Sequence, residues 1–369
     1  MRKIFILGGS DLQLDLILEA KKMFFYTIVL DMNEECIGAK WCDEFLPINI
    51  ADKELVLEKA KEYKIDVILT SATELGNITA CYVGEKLGLN TNSYQTALNT
   101  TNKILMKKIL LKQNITTAKH KIIKNKKELL QWNSFPCIVK PSDSSAGRGL
   151  SYVVSTKELL VSYQKAQNYT NDKRIIIEEY ITGKQYSIET ISTNSKHQII
   201  AIDKEDIHDV PHIMEVSHTI PAKLNKQKEN EITTLTNKIL NAFNIKFGAA
   251  HIEIRITESG KIYVVELASR TGGMRTEMIN LAYGVSYSHF LLLSSMNTQF
   301  KVKRNKRNTV KCNFIISYRA YKKYQKSKKN DKYILFEPFP IPCVKKGFLA
   351  EHIGKSKGYY YLLKKDCIS

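Results

Sequence analysis

No stretch of the 369-residue chain approaches the ~18–20 consecutive apolar residues that a membrane-spanning helix requires. The amino end is equally short of them. After Met1-Arg2-Lys3 only Ile4 to Leu7 precede Gly8-Gly9-Ser10-Asp11, too few for the core of a secretory signal. Both shortages predict a cytoplasmic protein. Seven cysteines (Cys36, Cys42, Cys81, Cys137, Cys312, Cys343, Cys367) include no C-x-x-C pair, so they read as reduced thiols and not as a zinc or disulfide framework. No internal repeat and no Pro/Gly/Ser-rich linker is found. The first glycine turn lacks the full G-x-G-x-x-G, and no helix opens with G-K-[ST]. These absences remove the dinucleotide fingerprint and the Walker A loop as grounds for a functional reading.

Acidic residues are scarce at one end. Residues 301–369 hold 19 Lys+Arg against 4 Asp+Glu, which accounts for +15 of the total +19, while the other 300 residues hold 37 against 33. The excess is local. No aromatic-interleaved recognition motif accompanies it, so a solvated basic face is expected and nucleic acid is not an expected partner. With 43% apolar and 25% charged residues the composition is that of a globular protein. The length exceeds what one hydrophobic core serves, so two or three domains in series are expected.

The first hundred residues alternate strand and helix. Lys3–Leu7 reads as a strand, Leu12, Leu16, Ile17 and Ala20 recur at helical spacing, and Tyr26–Leu30 is a second strand. Asp52 is placed to cap a helix through Tyr63, and Asp66–Thr70 is a third strand with a helix after it. This βαβαβ order predicts a small parallel sheet covered by helices over residues 1–100. From about residue 101 the pattern changes. Thr100 or Thr101 is expected to cap a helix carrying Lys103, and mixed strands and helices follow to residue 300, ending in a hairpin of Gly248–Ile256 and Lys261–Leu267. The basic segment 301–369 contains strand-like pieces at Val310–Ser317 and Gly358–Leu363, so it is expected to pack on the core.

Three constellations carry chemistry. Phe135 to Gly149 runs from an apolar strand ending in Lys140 into a loop of small residues, Ser144, Ser145, Ala146, Gly147 and Gly149. Small side chains let backbone N–H groups approach phosphate oxygens, and a lysine at the strand end neutralises them; a plain Gly/Ser hairpin is the alternative. Arg174 to Gly183 places three isoleucines before Glu178-Glu179-Tyr180-Ile181, as expected of a buried strand emerging at a site edge, where backbone groups can read an adenine edge. A strand with a charged end is the simpler alternative. Third, Glu253 and Glu266 each sit in an otherwise apolar strand of one hairpin. Two buried carboxylates facing one another need a cation, and Mg²⁺ suits an all-oxygen site completed by phosphate and water. Salt bridges to His251, Arg255 or Arg270 are the alternative.

Over roughly residues 1–300 this order resembles the ATP-grasp superfamily, in which a pre-ATP-grasp α/β domain precedes two α+β subdomains that clamp ATP. The resemblance implies an α/β and α+β fold: a Rossmann-like domain at 1–100, an ATP-grasp domain at 101–300 with its lid subdomain at about 115–183, and the basic segment after it. It further implies that Lys103 and Lys140 touch ATP phosphates and that Ser144–Gly149 is a lid loop. Glu178 to Ile181 would form the adenine hinge, with Glu179 and Ile181 at the backbone positions that bind the base. Gln185 stands where ligases of the family usually carry a glutamate for the ribose hydroxyls. Glu253 and Glu266 match the magnesium carboxylates, with Mn²⁺ as a substitute, and Arg270 matches the arginine that stabilises the transferred phosphoryl group. The common E-x-N is here Glu266-Leu267-Ala268, so the metal would rest on two carboxylates, phosphates and water.

Ala268-Ser269-Arg270-Thr271-Gly272-Gly273 looks like the amino-acid-joining branch, in which Gly273 and Arg275 would meet substrate and His218, in Glu215 to Ala222, would approach an acyl phosphate. The implied activity is an ATP- and Mg²⁺-dependent carboxylate–amine ligase acting on small molecules, amino acids foremost, with a homodimer allowed. Two rivals remain at this point: a carboxyphosphate-forming carboxylase, and a nucleotide-binding regulator whose catalytic step has decayed.

Overall fold

The computed structural model describes residues 1–364 except 171, 209 and 331; Cys367 and the last charges of the basic segment lie outside the described residues. The amino-terminal unit contains β1 (Lys3–Leu7), α1 (Asp11–Lys22), β2 (Tyr26–Leu30), β3 (Glu44–Leu46), α2 (Lys53–Tyr63), β4 (Val67–Leu69) and α3 (Glu74–Leu87). Its strands form a parallel sheet in the order β3-β2-β1-β4, one strand wider than the sequence pattern suggested because the short β3 joins the edge. Alternate residues of β1 serve opposite faces. Ile4 and Ile6 pack with Leu16 and Ile17 of α1, whereas Phe5 and Leu7 pack with Val56 and Ala60 of α2. Each such fully buried side chain contributes about 1.5–3 kcal/mol. Ser10 and Gln13 close a capping box at the start of α1.

Helices α4 (Tyr94–Thr101) and α5 (Lys103–Lys112) lead into the second unit. The expected cap at Thr100 or Thr101 is wrong by one or two residues: both lie in the last turn of α4, a helix the pattern did not reveal. Asn102 caps α5, its side chain accepting from the N–H groups of Ile104 and Leu105. That cap sets Lys103 at the first position of the helix, and the Lys103 N–H donates to Ser142 O at 2.9 Å.

The second unit comprises β5 (His120–Ile123), α6 (Lys126–Leu130), β6 (Cys137–Pro141), β7 (Ser151–Val153), α7 (Thr156–Gln167) and β8 (Ile175–Glu179). Its antiparallel sheet has the order β5-β8-β6-β7, and Val139, Ile175 and Ile177 bury one face under Leu159 and Tyr163 of α7.

The third unit is built from β9 (Lys184–Thr193), β10 (Lys196–Ile207), β11 (Glu215–Ile220), α8 (Lys226–Ala242), β12 (Gly248–Ile256), β13 (Ile262–Ala268), α9 (Arg275–Tyr283) and α10 (Tyr287–Ser295). β14 (Val310–Phe314), α11 (Tyr318–Ser327), β15 (Tyr333–Phe336) and β16 (Tyr359–Lys364) follow. One antiparallel sheet joins all eight strands in the order β13-β12-β9-β10-β11-β14-β16-β15. β14 pairs with β11 from Ser217↔Asn313 to Ile220↔Val310, and with β16 on its other side. Val310, Cys312, Phe314 and Tyr361 thereby enter the same core as α9 and α10. Lys322, Lys323 and Lys326 of α11, and Lys328 and Lys329 just after it, are exposed to solvent. Among the described residues no helix is long and apolar enough to cross a membrane.

Since β14 and β16 continue a sheet that begins in the third unit, a chain ending at residue 300 would expose the edge of β11 and the apolar side chains beneath it. We expect that truncation to yield insoluble or inactive protein, measured as soluble yield and gel-filtration profile. A monodisperse, fully active 1–300 fragment would contradict this.

Candidate active site

A cavity of about 600 Å³ opens between the second unit, the large sheet, the start of α1 and the segment after residue 310. Its polar walls follow from pleat geometry. On β9, Gln185, Ser187 and Glu189 share one face; the register places them opposite Arg255, Glu253 and His251 of β12, and places Gln185 and Ser187 opposite Glu205 and Asp203 of β10. The intervening Tyr186, Ile188, Ile252 and Ile254 bury the other face against Ile232, Ile239 and Leu240 of α8. Period-2 alternation thus makes one side of the sheet core and the other a lattice of charge.

Three lysines converge at the junction of α5, β6 and β8. Lys140 Nζ lies 3.1 Å from Glu178 Oε2, and Lys107 Nζ lies 3.2 Å from Glu178 Oε1. Lys103 Nζ donates to Ser144 O at 2.7 Å and to Glu266 Oε1 at 3.1 Å. Burial alone would raise the Glu178 pKa, but the two ammonium groups outweigh it and hold the carboxyl down at about 2. Glu178 is therefore the counter-ion of the lysine cluster. Lys107 was missed by sequence reasoning; its one signal was the i, i+4 spacing from Lys103 on the same helix.

Glu253 and Glu266 are register partners across β12 and β13, with a bulge just after Glu253. Both line the cavity. Glu266 is held below its usual range by Lys103 and Lys140, against the opposing effect of burial. Glu253 accepts from Gln185 Nε2 at 3.3 Å and stands 3.4 Å from His251 Nε2. The arginines considered as alternative partners are engaged elsewhere. Arg255 donates to Gln185 Oε1 at 3.0 Å and Ile181 O at 2.8 Å, and lies over the Tyr180 ring at 4.9 Å. Arg270 donates to Glu74 Oε1 at 2.7 Å, from α3. His251 is committed chiefly to Glu189, at 2.6 Å; burial would lower its pKa, but that carboxylate raises it to about 10. Two adjacent carboxylates facing an open cavity are a donor set that fits a hard divalent cation.

Gln185 also has a structural reason to be an amide. Its Nε2 donates to Glu205 Oε2 at 2.7 Å and to Glu253, while Oε1 accepts from Arg255. A glutamate there would add a third carboxylate to two already present.

At the hinge, the Tyr180 N–H donates to Pro136 O at 3.0 Å and the Glu179 N–H to Lys119 O at 2.9 Å. Glu179, Tyr180 and Ile181 all line the cavity, as do Ser144, Ser145, Ala146 and Gly147. Ala146 and Gly147 adopt positive φ (56° and 69°), and residues 146–148 are exposed. Gly149 does not line the cavity. A Cβ there would lie 2.9 Å from the Pro141 ring, so this glycine, at φ 74°, serves close packing at the base of the loop.

Beneath the cavity lies a second ionic cluster. Arg275, at the start of α9, directs Nε to Asp203 Oδ2 at 3.0 Å and Nη2 to Glu205. Asp203, Glu205 and His218 place ligand atoms within 4.8 Å of one another, an arrangement that would suit a metal, but the Arg275 guanidinium already supplies the positive charge. This bears on two expectations. Arg275 reaches the cavity wall with its charge matched by two carboxylates, so a substrate carboxylate there would have to displace them. His218 has no solvent exposure and does not line the cavity; it touches Glu215 at 2.9 Å and Arg275 at 3.0 Å. Burial and the neighbouring guanidinium hold its pKa well below the usual imidazole value, and its ring nitrogens are turned to Glu215 and Arg275. Gly273 lines the cavity with open space beside its Cα.

Residues 133–278 match the ATP-grasp domain family. Over 252 residues the chain is 29% identical to a formate-dependent phosphoribosylglycinamide formyltransferase of Prochlorococcus marinus subsp. pastoris, covering 66% of this chain and 64% of the relative. It is 26% identical over 231 residues to an L-arginine-specific L-amino acid ligase of Bacillus subtilis, covering 60% and 55%. The matched part thus spans 64% and 55% of the lengths of these two relatives. In fold, the chain is similar to the crystal structure of an L-amino acid ligase from Bacillus licheniformis, with a TM-score of 0.81 at 17% identity over 100% of this chain and 94% of that one.

Replacing Glu178 by Gln would leave two buried ammonium groups without their counter-ion. We expect a stability loss of about 3–5 kcal/mol at pH 7 in urea unfolding. Because the folded pKa is depressed, the wild-type contribution is complete above the ordinary carboxylate range and is lost as pH falls toward about 2. The gap between wild type and Glu178→Gln should narrow from pH 5 to pH 3. A gap that does not change would refute the ion-pair assignment.

Proposed function

We propose that the chain, which belongs to the ATP-grasp superfamily, is an ATP- and Mg²⁺-dependent ligase that joins a carboxylate to an amine. An oxygen of the substrate carboxylate attacks the γ-phosphorus of ATP, ADP leaves, and an acyl phosphate results. The amine lone pair then attacks the acyl carbon, the C–O bond to phosphate breaks with its electrons leaving on phosphate, and the amine proton is released. The observation that carries this reading is the meeting, in one cavity, of the Lys103–Lys107–Lys140 cluster with the paired carboxylates Glu253 and Glu266.

In this reading the residues mainly position groups and balance charge. Lys103 and Lys140 would hold phosphate oxygens, exchanging part of their contact with Glu266 and Glu178. Glu253 and Glu266 would hold Mg²⁺, which when bound neutralises developing charge on the phosphates. The Ser144–Gly147 loop would cover the phosphates with backbone N–H groups. The hinge 179–181 would face adenine, and Gln185 the ribose. Arg270, fixed by Glu74, would stabilise the transferred phosphoryl group.

ADP release that depends on an amino acid or another carboxylate–amine pair tests the reading. Dependence on bicarbonate in CO₂-depleted buffer would support the carboxylating alternative, and nucleotide binding without any ADP release the regulatory one. Glu266→Gln should fold normally yet lose about 10²–10³-fold in turnover; wild-type turnover at saturating Mg²⁺ would overturn the metal assignment. Proteolysis near Ser144–Gly149 should slow when ATP and Mg²⁺ are added. Equal cleavage with and without nucleotide would count against a phosphate-covering loop.

A further inference from the structure

One wall of the cavity is built from the start of α1 and the segment after residue 310. Asp11 and Leu12 line it from α1; Phe314, Ile353 and Tyr359 line it from the basic segment. These two parts touch. Tyr359 Oη donates to Asp11 Oδ2 at 3.3 Å, and the Phe314 and Tyr359 rings lie 6.3 Å apart.

The glycine turn behind this wall offers no open cradle for an anion among the described residues. The Gly8 N–H donates to Leu30 O at 2.8 Å, Gly9 to Asp31 Oδ2 at 2.8 Å, Ser10 to Gln13 Oε1 at 3.1 Å and Leu12 to Ser10 Oγ at 3.3 Å. The donors of the glycine turn are thus satisfied within the turn and its neighbours. The nearby buried cation, Arg275, is neutralised by Asp203 and Glu205. Arg148, exposed on the loop of the second unit, donates to Ser145 Oγ at 3.0 Å; it, Lys355 and Lys165 are cations that act electrostatically on His352. A phosphate brought to this wall would meet the Asp11 carboxylate and a mostly apolar surface in which His352 and Ser356 are the polar side chains beside Ile353. An ammonium group on an apolar body would meet an acceptor and a complementary surface.

We propose that this wall selects, as the substrate carrying the reacting carboxylate, an amino acid with an aromatic or branched apolar side chain, and that it rejects phosphoribosyl compounds. The ammonium group of that substrate sits at Asp11 and takes no part in the reaction; its side chain packs on Leu12, Phe314, Ile353 and Tyr359. The assignment rests on the ligase reading above. It makes residues of the basic segment specificity determinants.

The test is calorimetric titration of the full-length protein, with Mg²⁺ and ADP present, using L-phenylalanine, L-leucine, L-aspartate and ribose 5-phosphate as probes. L-Phenylalanine and L-leucine should bind, and L-aspartate and ribose 5-phosphate should bind at least about tenfold more weakly. Tyr359→Ala and Asp11→Asn should each weaken L-phenylalanine by about tenfold at unchanged ADP affinity. Tyr359→Phe, which keeps the ring, should bind it more tightly than Tyr359→Ala. Preference for ribose 5-phosphate, or an L-phenylalanine affinity that neither Asp11→Asn nor Tyr359→Ala alters, would overturn the inference. L-Phenylalanine binding that never elicits ADP release from ATP with any amine would sink the ligase reading while supporting the preference of this wall.

Discussion

Charge cannot be buried singly, and the cavity is organised around that constraint. Lys103, Lys107 and Lys140 come together because Glu178 and Glu266 lie among them, one at the end of β8 and the other on β13. The lysines and their carboxylates arrive from the helix α5 and from two different sheets, so the charge balance is also what ties the second and third units together at the cavity. A site of this kind is poised to exchange partners. Phosphates entering among the lysines would replace carboxylate contacts with charge of the same sign, and one of the displaced carboxylates, Glu266, belongs to the pair suited to a divalent cation.

The lower cluster solves the same problem differently. Asp203 and Glu205 are fully buried beside one another, and burial raises the pKa of both. Arg275 is locked between them and His218. Asp203, Glu205, His218 and Arg275 are all buried, so the cluster serves as a fixed floor. Cys312 on β14 is the register partner of His218, which makes the basic segment the cover over this floor. The lysines of α11 lie on the solvent side, while Phe314 and Tyr359 face inward.

Much of the site was legible from local pattern. Lys140 ends an apolar strand, and Glu253 and Glu266 interrupt two others; a period-2 strand with one charged residue on an apolar background is a signal that one sequence can carry. The same holds for the positive-φ loop, where small residues cluster at 144–149. The βαβαβ order was legible because β1 and β2 are near-continuous apolar runs, as a sheet covered on both faces demands.

The sequence by itself therefore determined the identities of most of the strands, the loop and the isolated carboxylates, since each depends on neighbours two to four residues away. Tertiary structure alone decided which of the charged groups are free to act. Lys107 is drawn into the site by Glu178, 71 positions later in the chain. Arg270 is oriented by Glu74, 196 residues away, and His218 is sealed by β14 and Arg275. Whether a histidine or arginine meets substrate or a buried carboxylate depends on which strands become neighbours. That pairing is fixed by packing free energy summed over the whole core, and no local spacing records it.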